Sequence, residues 1–193
     1  MTMKADPSLR DEALRKIGRN LVNYQRFEKA LKLVIVRSDI RGYASRIAKQ
    51  YRSKLKDTNR KPLGWLVEEF LKTVYASGPA PEDVTDQSQE IWMSLAFRVE
   101  ADGDDLRKFR SELRGVVKDR NDLIHDALTR FEPDSAQSCR DLISALDEQH
   151  SRFEPHFRSV MSVLDNLNTV QEEVLRQLER QLRKQSGSGE DAA

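Results

Sequence analysis

The segment RNDLIHD, Arg120–Asp126, holds the residues best suited to chemistry. Histidine as a residue type can take up and return a proton within one reaction, which makes His125 the candidate acid–base group. Arg120 carries a rigid fork of donors that matches phosphate oxygens. Asn121 stands four residues before His125, one helical turn below it on the same face, where it can orient the imidazole or bind phosphate itself. Such a set can move protons at a phosphodiester and stabilise the extra negative charge of its transition state. Asp122 and Asp126 read as surface charges beside it. A geometric difficulty remains: on a regular helix five residues advance by about 500°, which leaves Arg120 and His125 roughly 140° apart.

Competing sites are weaker. His150 and His156 are six residues apart, so one helix does not present both to one metal, and a single cysteine gives no zinc-finger spacing. No metal-ligating set is therefore expected. The phosphate-binding and nucleophile-elbow motifs GxxxxGK[ST], GxGxxG and GxSxG do not occur. Cys139 falls on an apolar stripe and reads as core.

The elements that must position Arg120 and His125 read as helices. Leu14, Ile17, Leu21, Tyr24, Leu31 and Ile35 form one stripe after Pro7 and Ser8, with Ser8 as the expected cap and an end near Val36. A second helix is expected from Ser38 or Asp39, with the stripe Ile40, Tyr43, Ile47, Tyr51 and Leu55, up to the Asp57–Pro62 break. A third follows Pro62, burying Leu63, Leu66, Val67, Phe70, Leu71 and Val74. Residues 76–87 read as a loop. In 91–100, Met93, Leu95, Phe97 and Val99 alternate as a strand would, but no partner strand is evident, and a helix is expected. The helix from about Asp104 to Thr129 buries Leu106, Phe109, Leu113, Val116, Val117, Ile124 and Leu128, and Arg120 falls on this apolar side. From Ser135 to Gln185 the pattern stays helical for roughly 75 Å at 1.5 Å per residue. That length exceeds a compact chain of this size, so the helix is expected to bend at Pro155 or to project, with its apolar stripe on another chain. The tail 186–193, rich in Gly and Ser, is expected to be disordered.

Composition agrees with a helical protein. The 193 residues are 38% hydrophobic and 34% charged, and only 8 Gly and 6 Pro occur, too few for a β-sandwich. No apolar run approaches the ~18 residues of a membrane span. The N-terminus lacks an apolar segment, and Cys139 has no disulfide partner, so a cytoplasmic location is expected. The net charge of +1 conceals a split. Residues 1–76 hold 18 basic and 8 acidic side chains, and the remainder 15 and 24. The basic half can attract phosphate locally, and Arg37, Arg41, Arg46, Lys49 and Arg52 are the candidate nucleic-acid contacts. Tyr43 and Tyr51 beside them lie on an apolar stripe and read as core.

The pattern Arg120, Asn121 and His125, on a helix in the middle of a helical chain, resembles the HEPN superfamily, which is marked by an arginine, then Asn, Asp or His, a short spacer and a histidine. The order of helices is similar to a HEPN up-and-down bundle over residues 8–150, with 151–185 as a helical extension suited to oligomerisation. The resemblance implies a metal-independent, cofactor-free endoribonuclease with Arg120, His125 and Asn121 as its catalytic set. It implies RNA as substrate, since DNA lacks the attacking 2′-hydroxyl, and a homodimer in which two copies of the motif line one cleft. It further implies a role such as toxin or antiviral effector, held in check by a regulatory partner. The alternative is a non-catalytic dimeric adaptor that binds nucleic acid.

Overall fold

A computed structural model describes residues 4–75, 90 and 92–187. The chain folds as a helical bundle with one small antiparallel ribbon. Helix α1 spans Pro7–Arg37. Its cap is Asp6 rather than Ser8: the Asp6 carboxylate accepts from the Ser8 N–H at 3.4 Å, with Pro7 in the first turn where no N–H is needed. Strand β1 (Asp39–Tyr43), α2 (Ala44–Asn59) and α3 (Leu63–Val74) follow. Strand β2 (Trp92–Ala96) precedes α4 (Gly103–Asp122), a π-helical turn over Leu123–Ala127, a short α5 (Leu128–Arg130) and α6 (Ala136–Gly187).

Two expectations are corrected. The second helix begins at Ala44, not at Ser38 or Asp39, because Asp39–Tyr43 is extended and pairs with Trp92–Ala96. Residues 92–96 are accordingly a strand, not a helix. Gly42 takes a positive φ of 148°, a conformation that favours glycine and is foreign to a helix. The Ile40–Tyr43 spacing imitates a helical stripe, and the pairing partner lies some 50 residues away. The ring of Tyr43 meets Trp92 edge-on at 5.0 Å and closes the ribbon. The loop expected over 76–87 and the tail from 188 lie outside the described residues, while residues 186 and 187 close α6.

Side-chain pairs give the helix directions. Asn20 meets Gln149, Tyr24 meets Phe153 and Arg37 meets Gln171, so α1 and α6 run parallel. Asp119 meets Arg152 and Glu112 meets His156, so α4 runs against α6. Glu68 meets Arg114, and Gly64 faces Val117, so α3 runs against α4. Phe27, Leu31, Val34 and Ile35 of α1 join Leu66, Phe70 and Leu71 of α3, Leu113 and Val116 of α4, and Phe153 and Leu164 of α6 in one core.

Helix α6 passes through Pro155 without interruption. Its 52 residues extend about 78 Å. Core packing continues past residue 150, through Phe153, Val160, Val163, Leu164 and Leu167. Beyond that point Val170, Leu175 and Leu178 are exposed. The first part of the expected extension therefore shares the core, and the second leaves it.

A charged clamp also joins α1 to α6. Asp147 accepts from Lys16 and, at 3.1 Å, from Arg19. The Lys16 ammonium above all, then Arg19, holds the Asp147 carboxyl below its usual range. A depressed carboxylate stabilises the fold above the unfolded-state value of about 4 and loses that effect as pH falls through the folded value. Asp147 is half exposed, so solvent screening holds the contribution to about 0.5–1 kcal/mol. Asp147→Asn is expected to lower the urea midpoint at pH 7, and the gap from wild type should close as pH falls through the folded value of Asp147.

Candidate functional site

Arg120, Asn121 and His125 sit where α4 passes into the π-turn. Asp102 caps α4 by accepting from the Asp104 N–H at 2.7 Å, and Leu113, Val116 and Leu123 anchor the helix in the core. Those anchors leave Arg120 half-buried at the edge of the apolar face and leave Asn121 and His125 exposed. The Arg120 guanidinium donates to the Asn121 amide oxygen at 3.1 Å. The backbone oxygen of His125 accepts from the Thr129 hydroxyl at 2.9 Å.

The π-turn bears on the geometric difficulty. The Leu128 N–H bonds the Leu123 oxygen, five residues back. Each residue in a turn with i→i+5 bonds rotates less than in an α-helix, so side chains five apart move toward register. His125 lies inside this turn, but three of the five steps back to Arg120 belong to α4, so the turn relieves only part of the geometric difficulty.

Buried polar groups support the turn from behind. Gln149 of α6 donates to the Asp119 carbonyl at 2.6 Å, and Asn20 of α1 donates to the Gln149 amide oxygen at 3.0 Å and to the Leu146 carbonyl at 2.9 Å. Arg152 grips the Asp119 carboxylate through two nitrogens at 3.1–3.2 Å. The Asp119 carbonyl also accepts from the Leu123 N–H, so Gln149 adds a second donor at the end of α4. Gln149→Leu removes the donor to Asp119 and one partner of Asn20. It is expected to cost about 1–3 kcal/mol and to shift the amide resonances of residues 119–128 in an NMR spectrum.

A groove of about 540 Å³ opens beside Arg120, lined by Glu28, Arg60, Lys61, Gly64, Arg120 and Asn121 among others. His125 is not part of its lining. Within one chain, then, Arg120 and Asn121 share a groove and His125 stands outside it. On the α6 side of the helix lies a second groove, of about 290 Å³, with Asp119, Asp122 and Asp126. Its acids are paired: Asp119 with Arg152, Asp122 with Lys118, and Asp126 with Arg130.

The five basic candidates divide. Arg37 donates to Gln171 at 3.0 Å, and Arg41 pairs with Asp39 at 2.7 Å, so both serve the fold. Arg46, Lys49 and Arg52 are exposed on α2 without an acidic partner among the described residues. Sequence reasoning missed Arg60 and Lys61 as groove residues, although both lie in the basic run. It also missed Asn20 and Gln149. Their signal was present: each is a polar residue inside an apolar stripe, Asn20 between Ile17 and Tyr24, and Gln149 between Leu146 and Phe153.

Of the other histidines, His150 contacts Asn23 and His156 lies 3.9 Å from Glu112. No helix among the described residues is long and apolar enough to cross a membrane. No protein-family model matches the chain, and comparisons with curated proteins and with solved structures find no match.

Proposed function

We propose that the chain is a metal-independent endoribonuclease of the HEPN type, acting as a homodimer on RNA. The observation that carries this reading is the Arg120 guanidinium at an open basic groove, bonded to Asn121, with an exposed His125 in the π-turn that follows. Helices of this kind recur at functional sites. His125 takes the proton of the 2′-hydroxyl as that oxygen attacks the adjacent phosphorus. Arg120 binds the non-bridging oxygens as their charge grows, with Asn121 holding the guanidinium in place. The 5′-oxygen leaves and receives a proton from the second copy's histidine, giving a 2′,3′-cyclic phosphate and a 5′-hydroxyl.

Two features support the homodimer. His125 stands exposed outside the groove of Arg120, so a cleft holding both groups needs a second copy of the motif. The exposed Val170, Leu175 and Leu178 offer an apolar strip on α6 for the same assembly. A nuclease of this kind acts as a toxin or antiviral effector under a regulatory protein partner.

The test is incubation of the purified protein with total RNA in EDTA, followed by analysis of product ends. Cyclic phosphate ends support the reading, and intact RNA across a wide range of protein concentrations refutes it. A second reading, a non-catalytic dimeric adaptor that binds nucleic acid, is favoured by the exposed basic face of α2. RNA binding with no cut products would select it.

A further inference from the structure

We infer that the groove where the α2–α3 junction meets α4 is a binding site for the phosphates of a single RNA strand, with Arg60 and Lys61 as ligands beside Arg120. This rests on the ribonuclease reading for the identity of the strand, and on the groove itself for the chemistry of the site.

The groove gathers three cations, Arg60, Lys61 and Arg120, against one carboxylate, Glu28. Glu28 is already bound by Lys32 at 2.6 Å. Among the described residues no acid pairs with any of the three. Arg120 has the Asn121 amide, and Lys61 lies over the face of Trp65 at 5.2 Å. Like charges gathered in a concave site repel one another unless an anion is supplied, and concavity focuses their field. Guanidinium forks suit phosphate oxygens in particular.

The same charge continues outward. On α2, Arg46, Lys49, Arg52, Lys56 and the following Arg60 recur every three or four residues, which places them within an arc of about 120°. All five are exposed and lack an acidic partner among the described residues. This stripe runs about 21 Å along the helix and ends in the groove. Trp65 is exposed in the first turn of α3, next to Lys61, where a base can stack on the indole. A line of cations leading to a groove, with an aromatic face beside it, fits a single strand that is held by its backbone.

The experiment measures the binding of a fluorescent 2′-O-methylated RNA 12-mer, which cannot be cut because its attacking hydroxyl is blocked, by anisotropy at several salt concentrations. The full chain is compared with Arg60→Gln/Lys61→Gln and with Arg46→Gln/Lys49→Gln, the fold of each checked by circular dichroism. The groove variant is expected to weaken binding about tenfold or more. Its slope of log affinity against log salt should be shallower by about 1.4, or 0.7 for each lost phosphate contact. The α2 variant should reduce the slope similarly, with a smaller loss of affinity. Unchanged affinity and slope in the groove variant would overturn the assignment. So would equal binding of polyglutamate, which would make the groove a dock for an acidic protein surface. The two readings fail separately. If wild type leaves unmodified RNA intact while the methylated strand still depends on Arg60 and Lys61, the nuclease reading falls and the groove stands. If wild type cuts RNA and the groove variant binds and cuts equally well, the groove falls and the nuclease stands.

Discussion

On the proposed ribonuclease reading, His125→Ala is expected to lower the rate of RNA cleavage by about 10²–10⁴-fold, the usual range for removal of a general acid–base group, and to leave the thermal transition of the protein in place. Arg120→Ala lowers it by about 10²–10³-fold, as expected for loss of a donor to a developing oxyanion. His125 is exposed, so its removal opens no cavity. Arg120 is half-buried, but its guanidinium bonds the neighbouring Asn121, so its loss leaves no distant group unpaired. Arg120→Lys is a sharper probe. It keeps the charge and loses the fork, so it should retain binding of the methylated strand better than turnover. If the site is shared between two copies, mixing Arg120→Ala with His125→Ala chains should raise cleavage above that of the His125→Ala chain alone, because each heterodimer regains one histidine, and should leave it below wild type, because the second histidine is missing. Single-turnover cleavage of a labelled RNA in EDTA checks the rates, a thermal melt checks the fold, and anisotropy checks binding of the methylated strand. Wild-type rates in the His125→Ala protein would remove the imidazole from the mechanism.

The second large effect is on stability. Phe153→Ala is expected to cost about 3–5 kcal/mol in urea unfolding. Phe153 is 3% exposed and stands at the centre of the α1–α6 seam. Its ring meets Tyr24 edge-on at 5.1 Å and Phe27 edge-on at 5.5 Å, and it stacks on Phe157 at 5.6 Å. Such pairs add about 0.5–1.5 kcal/mol beyond the buried area. Val22→Ala on α1 is the control. Val22 is 49% exposed, and its replacement should change stability by no more than about 0.5 kcal/mol. The contrast measures how much of the α1–α6 seam rests on Phe153. A cost below about 1 kcal/mol at Phe153 would mean that α6 past residue 150 is held only loosely against α1.

The residues themselves made most of the helices legible. Ile17, Tyr24, Leu31 and Ile35 share a face at helical spacing, and so do Leu66, Phe70 and Val74, and all of them are buried. Periodicity reports local burial well because a helix repeats within four residues. The ribbon was not legible, because Asp39–Tyr43 and Trp92–Ala96 define each other only after the chain has brought them together. The hydrophobic stripe of α6 was legible, but its division at Leu167 was not. A stripe records that a face is apolar without recording where the neighbouring helix ends.

What the sequence by itself determined is a helical chain, a basic first half and a helix carrying Arg120, Asn121 and His125, since each of these is a property of neighbouring residues. Tertiary structure alone decided three things. Gln149 reached across from α6 to the Asp119 carbonyl, where the helix passes into its π-turn. Arg37 and Arg41 took internal partners, while Arg46, Lys49 and Arg52 have no acidic partner among the described residues. Arg60 and Lys61 came to face Arg120 across a groove. All three depend on contacts between residues tens of positions apart, and the free energy of such contacts is set by packing geometry that no local pattern encodes.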